Sequence, residues 1–152
     1  MNKVDPKLWK RLQARHPSGE LKLDETAIAN HSGDKWFGTA RPEAVALPRS
    51  VKSVSAIMRF AYRHQIPVTP RGAGFGYVGG CVPLKGGIAL STARMKRIKE
   101  INENDFVAVV QPGVITADLQ AKAEAMGLYF PPDPASRADC SIGGNIATNA
   151  GD

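Results

Sequence analysis

The chain has 152 residues, of which 43% are hydrophobic and 22% charged, and its net charge is +6. A chain of this size and composition can bury a hydrophobic core, which excludes the disordered class. It contains no apolar run of the roughly 18 residues that a membrane helix needs, and its first residues lack the apolar stretch of a signal peptide. We therefore expect a cytoplasmic protein without a transmembrane segment.

The sulfur-containing and basic residues exclude further classes of function. Cys81 and Cys140 are too few for a disulfide scaffold and lack the spacing of metal ligands, so we expect reduced thiols and no metal site. No aromatic residues interleave with the one basic cluster, at residues 94–99, so we expect a solvated basic surface and no nucleic-acid partner. The basic residues are scattered apart from one cluster, formed by Arg94, Lys96, Arg97 and Lys99.

The first predicted elements lead into a strand–helix–strand unit. A short amphipathic helix follows Pro6, in a polar region that extends to about residue 40. Residues 44–47 and 66–69 are predicted strands, and Ser50 is predicted to cap the helix between them. Such a unit predicts two parallel, neighbouring strands with a right-handed crossover.

The second half of the chain also mixes strands with helices. Residues 87–90 and 106–110 are predicted strands. Thr116 is predicted to cap a helix that ends at Gly127. The proline-rich stretch 131–134 is predicted to be neither a helix nor a central strand.

A glycine-rich loop follows the predicted strand at residues 66–69. Five of the ten residues 71–80 are glycine, and glycine allows a positive φ and a close approach of the backbone to a ligand. Successive N–H groups in such a loop can converge on one anion, and a pyrophosphate is the usual anion after a strand. Arg71 either donates to that anion or pins the loop. The structural alternative is a flexible hairpin between two strands.

Two well-known phosphate-binding motifs do not describe this loop. Gly74, Gly76 and Gly79 satisfy G-x-G-x-x-G, but a Rossmann fingerprint must open a helix. The residues that follow, 81–87, contain a proline and two glycines and will not sustain a helix. The P-loop pattern fails because no Gly-Lys-Ser/Thr follows at the required spacing.

A second glycine cluster covers residues 141–151. Its small side chains allow a flat ligand or a second backbone to lie close. Asn145, Thr148 and Asn149 offer hydrogen-bonding groups suited to a ring edge or a phosphate. The alternative is the start of a helix that packs against its neighbour through small residues, and the cluster by itself leaves both interpretations open.

Four motifs follow one another along the chain, at residues 68–80, 111–114, 131–136 and 142–151. In this order they resemble the FAD-linked oxidase family, whose FAD-binding domain is of the p-cresol methylhydroxylase and vanillyl-alcohol oxidase type. The resemblance covers about residues 41–151. Within the family the chain is most similar to the FAD-binding subunit of bacterial glycolate oxidase and to D-lactate dehydrogenases.

The resemblance implies an α+β fold and a redox activity. Residues 41–152 would form the small lobe and the start of the large lobe of a two-lobed FAD-binding domain, incomplete at its carboxyl end. Residues 1–40 would be an amino-terminal helical extension. The implied reaction is oxidation of a small 2-hydroxy acid, such as glycolate or D-lactate, by hydride transfer to the flavin of FAD. The implied partners are this substrate and either other oxidase subunits or an electron acceptor.

The resemblance also implies a set of cofactor-binding residues. The first loop would donate backbone N–H groups to the pyrophosphate, and the later motifs would line the flavin and its ribityl chain. The residues expected to bind FAD are Pro70, Arg71, Gly72, Ala73, Gly74, Phe75, Gly76, Gly79, Gly80, Pro132, Ser136, Gly143, Gly144, Asn145, Thr148 and Gly151.

The sequence departs from the family at one position that bears on the cofactor. Phe75 stands where some relatives carry the histidine that attaches FAD, so we expect FAD to be noncovalent. His16, His31 and His64 form no constellation with a carboxylate, so we assign no catalytic residue. By resemblance, the catalytic base lies in a later part of the family's chain. The alternatives are a noncatalytic nucleotide-binding module and an inactive truncated remnant.

Overall fold

The computed structural model describes residues 4–17 and 19–150. The helices are α1 (Pro6–Ala14), α2 (Glu25–Asn30), α3 (Val51–Arg63), α4 (Thr116–Glu124) and α5 (Ile142–Thr148). The strands are β1 (Leu21–Lys22), β2 (Ala44–Ala46), β3 (Val68–Arg71), β4 (Ile88–Ser91), β5 (Ile98–Asn102) and β6 (Val107–Val110). This mixture of helices with a mixed sheet and an antiparallel hairpin confirms the α+β class.

The first sheet has the strand order β1-β2-β4-β3. Strands β2 and β3 are each parallel to β4, and β1 is antiparallel to β2. The prediction that β2 and β3 are neighbours is therefore wrong, because β4 lies between them. Every residue of β4 is buried, and a parallel strand covered on both faces is favoured at the centre of a sheet.

Helices α1 and α3 cover this sheet and share its core. Pro6 is the first residue of α1, and the Asp5 carboxylate accepts a hydrogen bond from the Lys7 N–H at 2.9 Å. Ser50 caps α3 as predicted, because its hydroxyl accepts from the Ser53 N–H at 3.2 Å. Residues of α1 and β1 belong to the same core as β2 and β4. The domain boundary at residue 40 stays a prediction.

The second sheet is the antiparallel hairpin of β5 and β6, against which α4 and α5 pack. Strand β6 was predicted, whereas β5 carries part of the basic cluster and was not. The prediction that Thr116 caps α4 is wrong. Thr116 is the first residue of α4, and the cap position is occupied by Ile115, whose side chain forms no capping hydrogen bond. Thr116 is fully buried, and a buried hydroxyl needs a hydrogen-bond partner inside the protein. Its hydroxyl oxygen lies 3.2 Å from the Cys140 Sγ.

Candidate functional site

The glycine-rich loop begins where β3 ends, at the carboxyl edge of the parallel strands. Ligands of open α/β sheets bind beyond this edge, where loops rather than side-chain ladders face the solvent. Gly74 and Gly79 have φ of +81° and +70°. These are left-handed conformations that other residues rarely adopt. The local backbone therefore requires glycine at two of the predicted positions.

The backbone N–H groups of residues 72–80 are free of protein acceptors. The loop's carbonyl groups are used: Gly76 O accepts from the Lys35 N–H at 3.0 Å, and Gly79 O accepts from the Val82 N–H at 3.0 Å. Among the hydrogen bonds between described residues, none is donated by a backbone N–H of 72–80. These residues are half-buried or exposed, so their N–H groups are open to solvent or to a bound ligand. A row of free N–H groups thus fits an anionic ligand such as a pyrophosphate.

The Arg71 side chain connects the loop to neighbouring segments of the chain. Its Nη1 donates to the carbonyl oxygen of Gly33 and to the Sγ of Cys81, the latter at 3.3 Å. A side chain at Gly74 would collide with the Arg71 guanidinium. Of the two roles considered for Arg71, these contacts correspond to pinning the loop.

The two glycine clusters meet in space. A Cβ added at Gly72 would lie 2.6 Å from the Ser141 Oγ and 3.4 Å from the Cα of Gly144. The first loop and the start of α5 therefore approach each other more closely than side chains would allow. Although they are far apart in sequence, these two predicted segments form one continuous surface.

The glycines of α5 serve packing and helix capping in this structure. The Gly143 N–H donates to the Pro112 carbonyl at 2.9 Å, and a Cβ at Gly143 would lie 2.9 Å from that same oxygen. The Gly144 N–H donates to the Ser141 Oγ at 3.3 Å. Both N–H groups thus have protein partners, unlike those of residues 72–80.

The polar side chains of α5 are also engaged within the protein. The Asn145 amide donates to the Thr116 Oγ1 at 2.6 Å, and both residues are buried. The Thr148 hydroxyl donates to the Gly144 carbonyl at 2.9 Å on an exposed surface. Gly151 lies outside the described residues, so its predicted role stays a prediction.

A separate apolar groove of about 800 Å³ lies between the β5–β6 hairpin, α4 and α5. Pro132 and Asn145 line it, and the first glycine loop does not. Ser136 is outside the lining, and its carbonyl accepts from the N–H groups of Asp139 and Cys140 at 2.8 Å. Of the predicted cofactor-binding residues, this groove therefore brings together only Pro132 and Asn145.

A segment that the sequence reasoning missed packs on the loop. The ammonium of Lys35 lies 4.9 Å from the centre of the Phe75 ring, a distance typical of a cation–π contact. A Cβ at Gly79 would lie 2.9 Å from the Trp36 ring. The Trp36–Phe37 pair, two adjacent aromatic residues in a polar region, was the available signal.

Charged and titratable groups collect beneath the loop, around Arg71. Burial raises the pKa of the Cys81 thiol, Arg71 lowers it, and Asp34, 3.8 Å away, raises it. Burial lowers the pKa of His31, its hydrogen bond with the Ala27 carbonyl raises it, and the nearby Arg71 lowers it further. Both groups are therefore held mainly in their neutral forms. They stabilise the base of the loop and offer no activated nucleophile.

These features define a class of protein: an α+β domain with a glycine-rich loop beyond the carboxyl edge of its parallel strands. Residues 42–152 match the FAD binding domain family, so the chain belongs to this family. FAD is thus the cofactor of this family, as the sequence predicted. None of the helices in residues 4–17 and 19–150 has both the length and the apolar character needed to cross a membrane.

Curated relatives are oxidoreductases of 2-hydroxy acids. The chain is 38% identical to D-lactate dehydrogenase of Anaerostipes hadrus over 151 residues, which are 99% of this chain and 32% of the relative. It is 45% identical to the glycolate oxidase subunit GlcD of Escherichia coli K12 over 131 residues, 86% of this chain and 26% of the relative. The chain spans about a third of these relatives or less. The predicted enzyme class, FAD-linked 2-hydroxy-acid oxidase or dehydrogenase, is the class to which these relatives belong.

A solved structure supports the fold. The p-cresol methylhydroxylase structure with bound substrate superposes with a TM-score of 0.79 at 20% identity. The match covers 92% of this chain and 28% of that one. The prediction of a p-cresol methylhydroxylase-type FAD-binding fold is confirmed, and the assignment of its elements to a small and a large lobe stays a prediction.

Proposed function

We propose that this chain supplies the part of a flavoenzyme that grips the pyrophosphate of FAD. The observation that carries the proposal is the row of free N–H groups at residues 72–80, on a backbone that requires glycine at two positions. Free N–H groups in a glycine-rich loop stabilise an anion without a flexible side chain, so little conformational entropy is lost on binding. The proposed activity of the whole protein is oxidation of a small 2-hydroxy acid to the 2-oxo acid.

The residues beneath the loop preorganise it for binding. Arg71 ties the loop to Gly33, and Trp36 fills the space against Gly79. The close contact of Gly72 with Ser141 keeps the loop in register with α5. A loop already held in its binding shape loses less entropy when the ligand arrives.

When bound, the flavin of FAD would accept the hydride that leaves the α-carbon of the hydroxy acid. In this chain we assign binding and orientation to the loop, and we assign no residue to proton abstraction. The His31 Nδ1 donates to the Ala27 carbonyl at 2.8 Å, so this ring is engaged within the protein. Substrate identity, the electron acceptor, a partner subunit and the cytoplasmic location stay predictions.

Noncovalent attachment is part of the proposal. The residues 71–80 contain no histidine, and Phe75 occupies the position where some relatives carry one. Acid precipitation of the flavin-loaded protein is expected to release all flavin into the supernatant. Flavin that stays with the precipitated protein would contradict noncovalent binding.

Titration with FAD, FMN and ADP tests the binding function. FAD is expected to raise the melting temperature, because at about 100 times Kd a ligand of the folded state stabilises it by about 2.7 kcal/mol. FMN, which lacks a pyrophosphate, is expected to bind more weakly than FAD. Equal affinity for FAD and ADP would favour a noncatalytic nucleotide-binding module.

Two further outcomes complete the test. An unfolded chain by circular dichroism, or a folded chain whose melting temperature FAD leaves unchanged, would contradict the proposal and favour the inactive remnant. For the full-length protein, D-lactate or glycolate is expected to bleach the flavin absorbance in the absence of oxygen. Bleaching by neither acid would contradict the proposed substrate class while leaving FAD binding intact.

A further inference from the structure

The excess positive charge of this chain is concentrated on two helices. The chain has 20 basic and 14 acidic residues. Neither α1 with its C-cap nor α3 contains an acidic residue, so the other 13 basic residues are matched by all 14 acidic ones. The helix pair therefore carries a charge of +7, and the rest of the chain carries −1. Its seven basic residues are Lys7, Lys10, Arg11, Arg15, Lys52, Arg59 and Arg63.

Four of these residues line one groove between α1 and α3, which we call the arginine groove. It has a volume of about 460 Å³. Arg11 and Arg15 are four residues apart, as are Arg59 and Arg63, so each pair lies on one face of its helix. The remaining lining includes the apolar side chains of Leu12, Ala56 and Phe60. Leu12 and Phe60 are 1% and 6% exposed, so they belong to the core beneath the groove, whereas Ala56 is half-buried and reaches its surface.

The four arginines have no acidic partners within the described ranges 4–17 and 19–150. The ion pairs found there join Arg41 to Glu25, Arg137 to Asp133 and His16 to Glu20. Glu20 is buried, and its carboxylate accepts from the Arg49 N–H and the Ser53 hydroxyl. Cations near the carboxyl ends of helices also stabilise the helix dipole. This effect explains one cation at the carboxyl end of α1 and one at the carboxyl end of α3. It does not require two pairs of arginines that face one groove.

We propose that the arginine groove binds an acidic, amphipathic segment of a partner protein. The carboxylates would pair with the guanidinium forks, which bind carboxylates through two hydrogen bonds. Apolar side chains of the segment would pack on Ala56 and on the aliphatic stems of the arginines, as in other helix-in-groove complexes. A nucleic-acid backbone offers phosphates but no apolar side chains for these stems, so a peptide segment is the better match. The groove shares no residue with the loop at 72–80, so this proposal does not depend on FAD binding.

The test uses a fluorescein-labelled peptide of glutamate and leucine, with glutamates four residues apart. Its control replaces every glutamate with glutamine. Anisotropy is measured with the full chain in saturating FAD, at low and at physiological salt. The acidic peptide is expected to bind, and more weakly as salt screens the charges. The glutamine peptide is expected to bind at least about tenfold more weakly.

Paired variants locate the binding surface. The double variant Arg59→Glu/Arg63→Glu is expected to weaken peptide binding at least about tenfold. The control Lys96→Glu/Lys99→Glu makes the same charge change at exposed positions outside the groove, and is expected to change affinity less than about threefold. Arg11→Glu/Arg15→Glu repeats the test from the other helix if the first variant fails to fold by circular dichroism.

Defined results would overturn the proposal. These are no binding of the acidic peptide, equal binding of the glutamine peptide, or an equal loss in the Lys96/Lys99 control. Preference for duplex DNA or for phosphatidylserine vesicles over the peptide would assign the groove to another partner class. The Arg59/Arg63 variant is expected to keep the wild-type rise in melting temperature with FAD. Failure of the groove proposal is thus distinguishable from failure of FAD binding.

Discussion

The two glycine-rich segments of this chain use the same residue for different purposes. In residues 72–80 the backbone is left-handed at Gly74 and Gly79, and its N–H groups donate to no acceptor in the described part of the chain. In α5 the N–H groups of Gly143 and Gly144 have protein partners, and Gly143 permits close packing on Pro112. The density of glycine therefore does not distinguish a ligand loop from a packed helix. The two are distinguished by whether their backbone N–H groups donate to acceptors within the protein.

The largest effect is expected where glycine permits packing. Gly143→Ala would put a Cβ 2.6 Å from the Pro112 Cβ and 2.9 Å from its carbonyl oxygen. We expect the free energy of unfolding to fall by about 1–3 kcal/mol, the usual cost of overpacking, as measured by urea unfolding. Gly144→Ala is the matched control, since its Cβ would meet only the Ser141 hydroxyl, at 3.1 Å. A Gly143→Ala variant as stable as Gly144→Ala would break the comparison.

The next effect concerns the contacts of the Arg71 side chain at the base of the loop. Arg71→Met removes the contacts with Gly33 and Cys81, so the loop must be ordered by the ligand itself. We expect FAD affinity to fall about tenfold, which corresponds to about 1.4 kcal/mol. Isothermal titration measures this. Arg71→Lys keeps the charge but not the fork and is expected to lose nearly as much affinity. Full rescue by lysine would indicate a charge effect on the phosphates instead.

A smaller effect separates folding from binding within the loop. A Cβ at Gly76 meets only the Asp34 carboxylate, at 3.7 Å, and this glycine has no left-handed φ. Gly76→Ala is expected to leave the unliganded protein unchanged or more stable by up to about 1 kcal/mol. The rise in melting temperature caused by FAD is expected to shrink, because the added methyl group hinders the approach of the phosphates. An unchanged rise would show that the phosphates lie elsewhere along the loop.

The smallest effect is a pH dependence from His31. Its folded pKa lies below the ordinary value of 6.5, mainly because of burial. The unfolded chain therefore binds the proton more tightly, so stability is fully present above about pH 6.5 and is lost as pH falls through the folded pKa. Urea unfolding at about pH 7.5 and about pH 5.5 measures this difference. His31→Gln is expected to reduce it, and an unchanged difference in that variant would assign the pH dependence to other groups.

Local chemistry made several parts of the fold predictable. Ser50 caps α3 through a contact three residues away, and Pro6 begins α1 because its ring fixes φ in the helical range. Strands β4 and β6 are continuous apolar runs of the kind that strands require. By contrast, β1 has two residues and β5 contains the adjacent charged residues Lys99 and Glu100, so neither has a pattern that can be read without its partner strand.

The sequence by itself determined the family, the cofactor and the position of the glycine loop, because these rest on residue types at short spacings. Tertiary structure alone decided that β4 separates β2 from β3, that Thr116 turns inward to Cys140, and that Trp36 packs on the loop. It also decided which backbone N–H groups remain free. These outcomes depend on which distant segments compete for the same buried space and the same hydrogen-bond acceptors, and a local pattern contains no information on that competition.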